Sequence, residues 1–207
     1  LVVLACNTAS AKALRTIQQI DLPRIDPTRR VLGVIRPTVE MIGNISHTGH
    51  IGILATQGTV TSGSYPIEIA KFFPDLSVAQ QACPMLVPLV ENEEIDNEGC
   101  SYFVSKYCDA LMRQDPDIDV ALLGCTHYPL LTDAFRRHLP SSVTLLEQDK
   151  IVAASLIDYL NRHPEMSDRC SRNAETRFLT TDAPDIFDSR GAIFLGRPLQ
   201  SKRITLC

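Results

Sequence analysis

The sequence predicts an α/β protein made of two pseudo-symmetric, doubly wound lobes with largely parallel sheets and a cleft between them. Three observations carry this. Short apolar runs at 1–5, 51–55 and 120–123 alternate with segments of helical period. The runs are apolar throughout rather than alternating, as strands covered on both faces must be. Each ends in a thiol or small polar residues, at Cys6-Asn7-Thr8, Thr56-Gln57-Gly58-Thr59 and Gly124-Cys125-Thr126. Ligands of doubly wound sheets bind beyond such carboxyl ends.

Taken in order, the run at 1–5 leads into a helix over 10–20, with Ala13, Leu14, Ile17 and Ile20 on one face and Ser10 as its N-cap. Pro23 and Pro27 make 21–30 a loop. A short strand at 31–35 precedes a helix at 38–45, and the strand at 51–55 precedes a helix at 62–72. A strand at 76–81 runs into 83–91, where Pro84 and Pro88 exclude a central strand and indicate a loop. The next helix, 100–114, turns Phe103, Val104, Tyr107 and Leu111 inward. The strand at 120–123 carries Cys125 and is followed by a helix at 132–139, a strand at 143–146 and a helix at 151–160. Residues 162–175 read as a polar surface connection, and 176–181 and 192–195 as edge strands.

Composition removes several function classes. The 207 residues are 44% hydrophobic and 21% charged, with a formal net charge of −4, so the basic footprint of a nucleic-acid binder is missing. No run approaches the ~18 apolar residues of a membrane helix, and the chain opens without a signal-like segment. Seven cysteines, an odd number without a dense framework, point to reduced thiols and a cytoplasmic protein. Because residue 1 already lies inside an apolar run with no preceding turn or cap, the natural N-terminus is expected upstream.

The chemistry concentrates on two cysteines. Residues 2–8 align with 121–127, placing Cys6 and Cys125 119 positions apart at equivalent strand-to-helix junctions. A thiol there lies near the positive end of a helix dipole, which lowers its pKa and favours thiolate. Two such groups facing one cleft suit removal of a proton from one face of a carbon and its return to the other, which is stereoinversion. Asn7, Thr8 and Thr126 supply donors suited to a carboxylate, His127 a group that tunes the thiol or pairs with substrate charge, and Glu91 either an acid or a solvated loop charge. A phosphatase loop would need Arg six residues after the cysteine, where Lys12 and Leu131 stand. Zinc would need a second ligand pair beside Cys125 and His127, so no metal is expected. Cys83, Cys100, Cys108, Cys170 and Cys207 are expected to be ordinary structural thiols.

These motifs resemble those of bacterial glutamate racemases. The resemblance rests on Cys-Asn-Thr-Ala-Ser at 6–10, Gly-Val-Ile-Arg-Pro at 33–37, Thr-Gln-Gly-Thr-Val at 56–60, Pro-Leu-Val-Glu at 88–91 and Gly-Cys-Thr-His-Tyr-Pro-Leu-Leu at 124–131. It spans most of the chain, and the order of the motifs makes it specific. Related aspartate racemases typically carry Glu where His127 stands, which favours glutamate as substrate.

The resemblance implies a cofactor-independent, two-base racemase supplying D-glutamate for peptidoglycan. Cys6 and Cys125 would flank Cα, with His127 and Glu91 assisting proton transfer and Asn7, Thr8, Thr126 and His127 contacting substrate. It implies that residues 1–30 with 148–207 form the remainder of one lobe and 31–147 the other; a homodimer is left open. The family's opening Asp-Ser-Gly and Pro-Tyr-Gly segments have no counterpart before Leu1, so a chain starting there is expected to be inactive or nearly so. Another amino-acid or hydantoin racemase, an inactive truncated amino-acid-binding form, and a structural zinc protein are the alternatives.

Overall fold

The computed structural model describes residues 1–172 and 175–206 and divides the chain into two units, Leu1–Ser167 and Asp168–Cys207. The first unit runs β1 (Val2–Leu4), α1 (Asn7–Lys12), α2 (Leu14–Thr16), a π turn (Ile17–Asp21), α3 (Leu22–Ile25), β2 (Val31–Gly33), α4 (Ile35–Ile42), β3 (His50–Ala55), α5 (Gln57–Ser62) and α6 (Ser64–Phe72). It continues through β4 (Ser77–Ala82), α7 (Leu86–Glu91), α8 (Glu98–Gln114), β5 (Val120–Gly124), a 3-10 turn (Tyr128–Leu131), α9 (Thr132–His138), β6 (Thr144–Leu146), α10 (Asp149–Arg162) and α11 (Pro164–Ser167).

The central sheet has strand order β4-β3-β5-β6, with every pair parallel, and β1 and β2 form a second, two-stranded parallel sheet. Side chains alternate across the central sheet with the strand period of two. Ile51, Ile53, Val120 and Leu122 face one side, where Val39 and Ile42 of α4 and Tyr65 and Ile69 of α6 cover them. Leu54, Ala121 and Leu123 face the other, under Val104, Cys108 and Leu111 of α8 and Phe135 of α9. Both faces are closed, which is why β3 from Ile51 onward and the whole of β5 are apolar. Each fully buried Leu or Ile contributes roughly 1.5–3 kcal/mol relative to exposure. At Gly52 the approach of α8 is so close that a Cβ would lie 2.7 Å from Leu111 Cδ2.

Several local expectations are corrected. The first helix starts at Asn7 with Cys6 as N-cap, while Ser10, inside the helix, donates to the Leu4 carbonyl (2.9 Å) and accepts from Val34 N–H (3.3 Å). Helical structure persists through Ile25, because Pro23 falls in the first turn of α3, where no amide hydrogen is required. Ile20 is exposed rather than inward. The segment 83–91 contains α7 instead of being all loop; Pro88 is the third residue of that helix, again within the turn whose amides have no intrahelical partner. The helix at 62–72 is divided by Gly63, whose φ of 64° ends α5 in the left-handed region.

The second unit consists of β7 (Phe178–Thr180), α12 (Pro184–Leu195) and β8 (Ser201–Arg203), with β7 and β8 parallel. Residues 192–195 therefore close a helix rather than form an edge strand. Pro184 at its start and left-handed Gly196 at its end are helix-boundary signals that outweigh the apolar run. Cys207 lies outside the described residues. Among the described residues no helix is long and apolar enough to cross a membrane.

Candidate active site

Both singled-out cysteines stand just past the carboxyl end of a parallel strand, Cys6 two residues after β1 and Cys125 immediately after β5. Cys6 is exposed at the start of α1, whereas Cys125 is only 7% exposed. The two are near enough that charge on Cys6 disfavours ionisation of Cys125. Gly124 allows β5 to end tightly packed, since a Cβ there would meet Ala55 Cβ and the Leu54 carbonyl at 3.3 Å.

Burial pushes the Cys125 thiol up to about 11, and charge on Cys6 and Glu91 acts in the same direction. Backbone N–H groups of His127 and Tyr128 oppose the shift without overcoming it. This reverses the expectation of a lowered pKa at this junction. The thiol is enclosed, and the chain beyond it forms a four-residue 3-10 turn rather than a long helix with an aligned dipole. At neutral pH Cys125 therefore rests as a thiol.

His127 connects Cys125 to Glu91. Its Nδ1 lies 3.8 Å from Cys125 Sγ and its Nε2 lies 3.1 Å from Glu91 Oε1. With Nε2–H donated to the carboxylate, Nδ1 is left as an acceptor facing the thiol. Glu91 is the last residue of α7, so the helix that replaced an expected loop is the element that places it.

Around Cys6 the polar groups are already engaged. Asn7, 2% exposed, donates from Nδ2 to Gln148 Oε1 (2.7 Å) and accepts at Oδ1 from Tyr65 O–H (2.6 Å). The Thr8 hydroxyl lies 2.7 Å from Thr56 Oγ1 and 3.1 Å from Thr59 Oγ1. Thr56 in turn caps α5 by accepting from Thr59 N–H. Thr126, beside Cys125, is exposed. Cys83, Cys100 and Cys108 are buried in the core and Cys170 is half-buried.

Tyr65 and Gln148 are the participants that sequence reasoning missed. Their partners lie 58 and 141 positions away, so no local spacing marks them. The available signal was positional: Gln148 follows β6 at the same carboxyl end of the sheet that carries Thr56 and Cys125.

Two other features lie away from the thiols. A recess of about 700 Å³ opens beside α1, α4, α6 and α10, lined by Arg15, Glu40, Glu68, Lys71, Tyr159 and His163 among others, but by neither cysteine. At the opposite end of the sheet His50, Asp115 and Asp117 have donor atoms within 4.8 Å of one another, and His50 Nδ1 and Asp115 Oδ2 are 2.8 Å apart.

Comparison with known proteins gives a consistent result. The family model described as Asp/Glu/Hydantoin racemase matches residues 1–156. A glutamate racemase of Paracoccus denitrificans is 38% identical over 97% of this chain and 75% of its own length. One of Lactiplantibacillus plantarum is 35% identical over 96% of this chain and 70% of its own. Among solved structures, glutamate racemase isoform RacE1 of Bacillus anthracis superposes with a TM-score of 0.87 at 30% identity, covering 99% of this chain and 73% of that one. The Francisella tularensis glutamate racemase in complex with D-glutamate gives 0.81 at 26% identity, covering 99% and 72%.

Proposed function

We propose that this chain, which belongs to the Asp/Glu/hydantoin racemase family, comes from a protein that interconverts L-glutamate and D-glutamate, with Cys6 and Cys125 as its two acid/base groups. The observation that supports the assignment is the pair of thiols past the carboxyl ends of β1 and β5, mutually close enough for the charge of one to act on the other.

The inversion needs one thiolate to take the α-proton and one thiol to return a proton to the opposite face. Cys125 is held as the thiol by its burial, and Nδ1 of His127 is the base that accepts its proton when Cys125 must act as thiolate. The imidazolium so formed lies between the thiolate and the Glu91 carboxylate, which stabilises it and fixes the ring. The N–H groups of His127 and Tyr128 lower the cost of negative charge on the sulfur. Thr8 and Thr126, with His127, are assigned to the substrate's polar groups, and Asn7 to them only through the second Nδ2 hydrogen, the one not donated to Gln148, since donors fixed around a carboxylate stabilise the charge that develops as the α-proton leaves. Acid/base catalysis alone supplies only ~10²–10⁴-fold.

The same proposal takes residues 1–30 with 148–207 as one lobe and 31–147 as the other, the product as D-glutamate for peptidoglycan and the setting as cytoplasmic, and it leaves a homodimer open. Circular dichroism of the intact protein with L-glutamate, and separately with D-glutamate, tests the substrate. Decay of either signal to zero is expected. A stable glutamate signal with inversion of another amino acid or a hydantoin would reassign the substrate within the family.

A further inference from the structure

Asn7 follows Cys6 directly and is almost wholly buried, so its amide must be satisfied by protein groups. Three hydrogen bonds do this as a closed ring. Asn7 Nδ2–H donates to Gln148 Oε1 (2.7 Å), Gln148 Nε2–H donates to the Tyr65 hydroxyl (2.8 Å), and that hydroxyl donates to Asn7 Oδ1 (2.6 Å). All three run in the same sense, so each group is donor and acceptor at once and each bond polarises the next. Gln148 Nε2 also donates to Thr38 Oγ1 (2.8 Å), which is anchored on the Val34 carbonyl (3.1 Å).

The ring joins three segments that are distant in sequence: the start of α1, the start of α6 and the junction between β6 and α10. Tyr65 also packs against the residue that precedes the second thiol. Its Cε2 would lie 3.4 Å from a Cβ on Gly124, the residue before Cys125. One fully buried aromatic side chain therefore spans from the neighbour of Cys125 to the neighbour of Cys6.

We propose that Tyr65 and Gln148 are positioning residues that set the separation of the two thiols by clamping the Asn7 amide. This rests on the two-thiol reading of the site. A proton relay across two faces of one carbon is sensitive to spacing, and misplacement of about 1 Å in such sites costs up to ~10²-fold. Tyr65→Phe keeps the ring packing and removes the hydroxyl. Gln148→Glu keeps an acceptor for Asn7 but, as a carboxylate, has no hydrogen to donate to Tyr65 or Thr38.

The test is steady-state racemisation in both directions with thermal unfolding in parallel. Tyr65→Phe is expected to lower kcat by about tenfold to a hundredfold, with KM within about threefold and the protein folded. Gln148→Glu is expected to lose activity at pH 8 and to recover relative to wild type as pH falls, because its protonated form regains a donor; a merely structural role gives no such recovery. If Gln148→Glu fails to fold, the kcat against KM split of Tyr65→Phe decides. Wild-type kcat in the variants, or losses matched by the unfolded fraction, would overturn the inference while leaving the racemase intact. Absence of racemisation in the wild-type protein would overturn the two-thiol reading and this inference with it.

Discussion

Replacing Glu91 by Gln preserves size and a hydrogen-bond acceptor for His127 while removing the charge that faces Nε2. Two unit charges 3.1 Å apart interact by about 1.3 kcal/mol in bulk water and about 5 kcal/mol at an effective dielectric of 20. The side chains of His127 and Glu91 are 24% and 36% exposed, so solvent screening places the value near the lower end. About 2 kcal/mol of imidazolium stabilisation corresponds to roughly a 30-fold loss in kcat/KM. The two enantiomers have equal free energy in water, so the loss must be equal from L-glutamate and from D-glutamate, which provides an internal check on the rates. In a His127→Ala background, where no imidazolium forms, Glu91→Gln should cost less than about threefold, the coupling expected of groups acting through one another. Initial rates by circular dichroism in both directions measure all four proteins. A Glu91→Gln loss below twofold, or the same loss with and without His127, would refute the relay through His127.

Cys6→Ala and Cys125→Ala should each reduce interconversion by at least ~10³-fold, because in the proposed two-thiol mechanism each removes the proton carrier on one face of Cα; unimpaired turnover in either would exclude that mechanism. Stability should be pH-dependent at the alkaline end. Burial raises Cys125 to about 11 and Cys108 to about 12, both from an ordinary value of 9.0. The folded state thus favours the neutral thiols, and stability is full below pH 9 and declines as pH rises toward 11–12. Urea midpoints at pH 7.5 and 10.5 should show that decline, and Cys108→Ala should flatten it. At the acid end partial burial raises the pKa of Asp119, but bonds from Ser46 Oγ and the N–H groups of His47 and Thr48 outweigh this and hold it at about 2. Its contribution is present above pH 3.8 and lost as pH falls toward 2, so Asp119→Asn should cost ~1–2 kcal/mol at pH 7 after allowance for solvent screening, and less at pH 3.

The central sheet was legible because residues 51–55 of β3 and all of β5 are buried on both faces and must be apolar. The positions of Cys6 and Cys125 followed from the same logic, since each interrupts an apolar run where a parallel strand ends. What failed was local. Pro23 reads as a loop signal and Pro88 as excluding a central strand, yet each occupies the first turn of a helix, which requires no amide hydrogen there. Residues 192–195 look like a strand until Gly196 is read as the cap of α12. The helix dipole argued for a low Cys125 pKa, but burial, invisible at the level of neighbouring residues, decides the sign. Tyr65 and Gln148 were beyond reach for another reason: their hydrogen bonds to Asn7 connect segments that only the finished fold brings together.

The most direct test of the central claim is where deuterium appears when the intact protein works in D₂O. Proton NMR and mass analysis of both enantiomers at early times, starting once from L-glutamate and once from D-glutamate, separate product from unreacted substrate. Two opposed thiols predict product carrying deuterium at Cα while the remaining substrate keeps its proton, in both directions. Product that retains the substrate's own α-proton would mean a single base serving both faces, and would contradict the assignment of Cys6 and Cys125 as a pair.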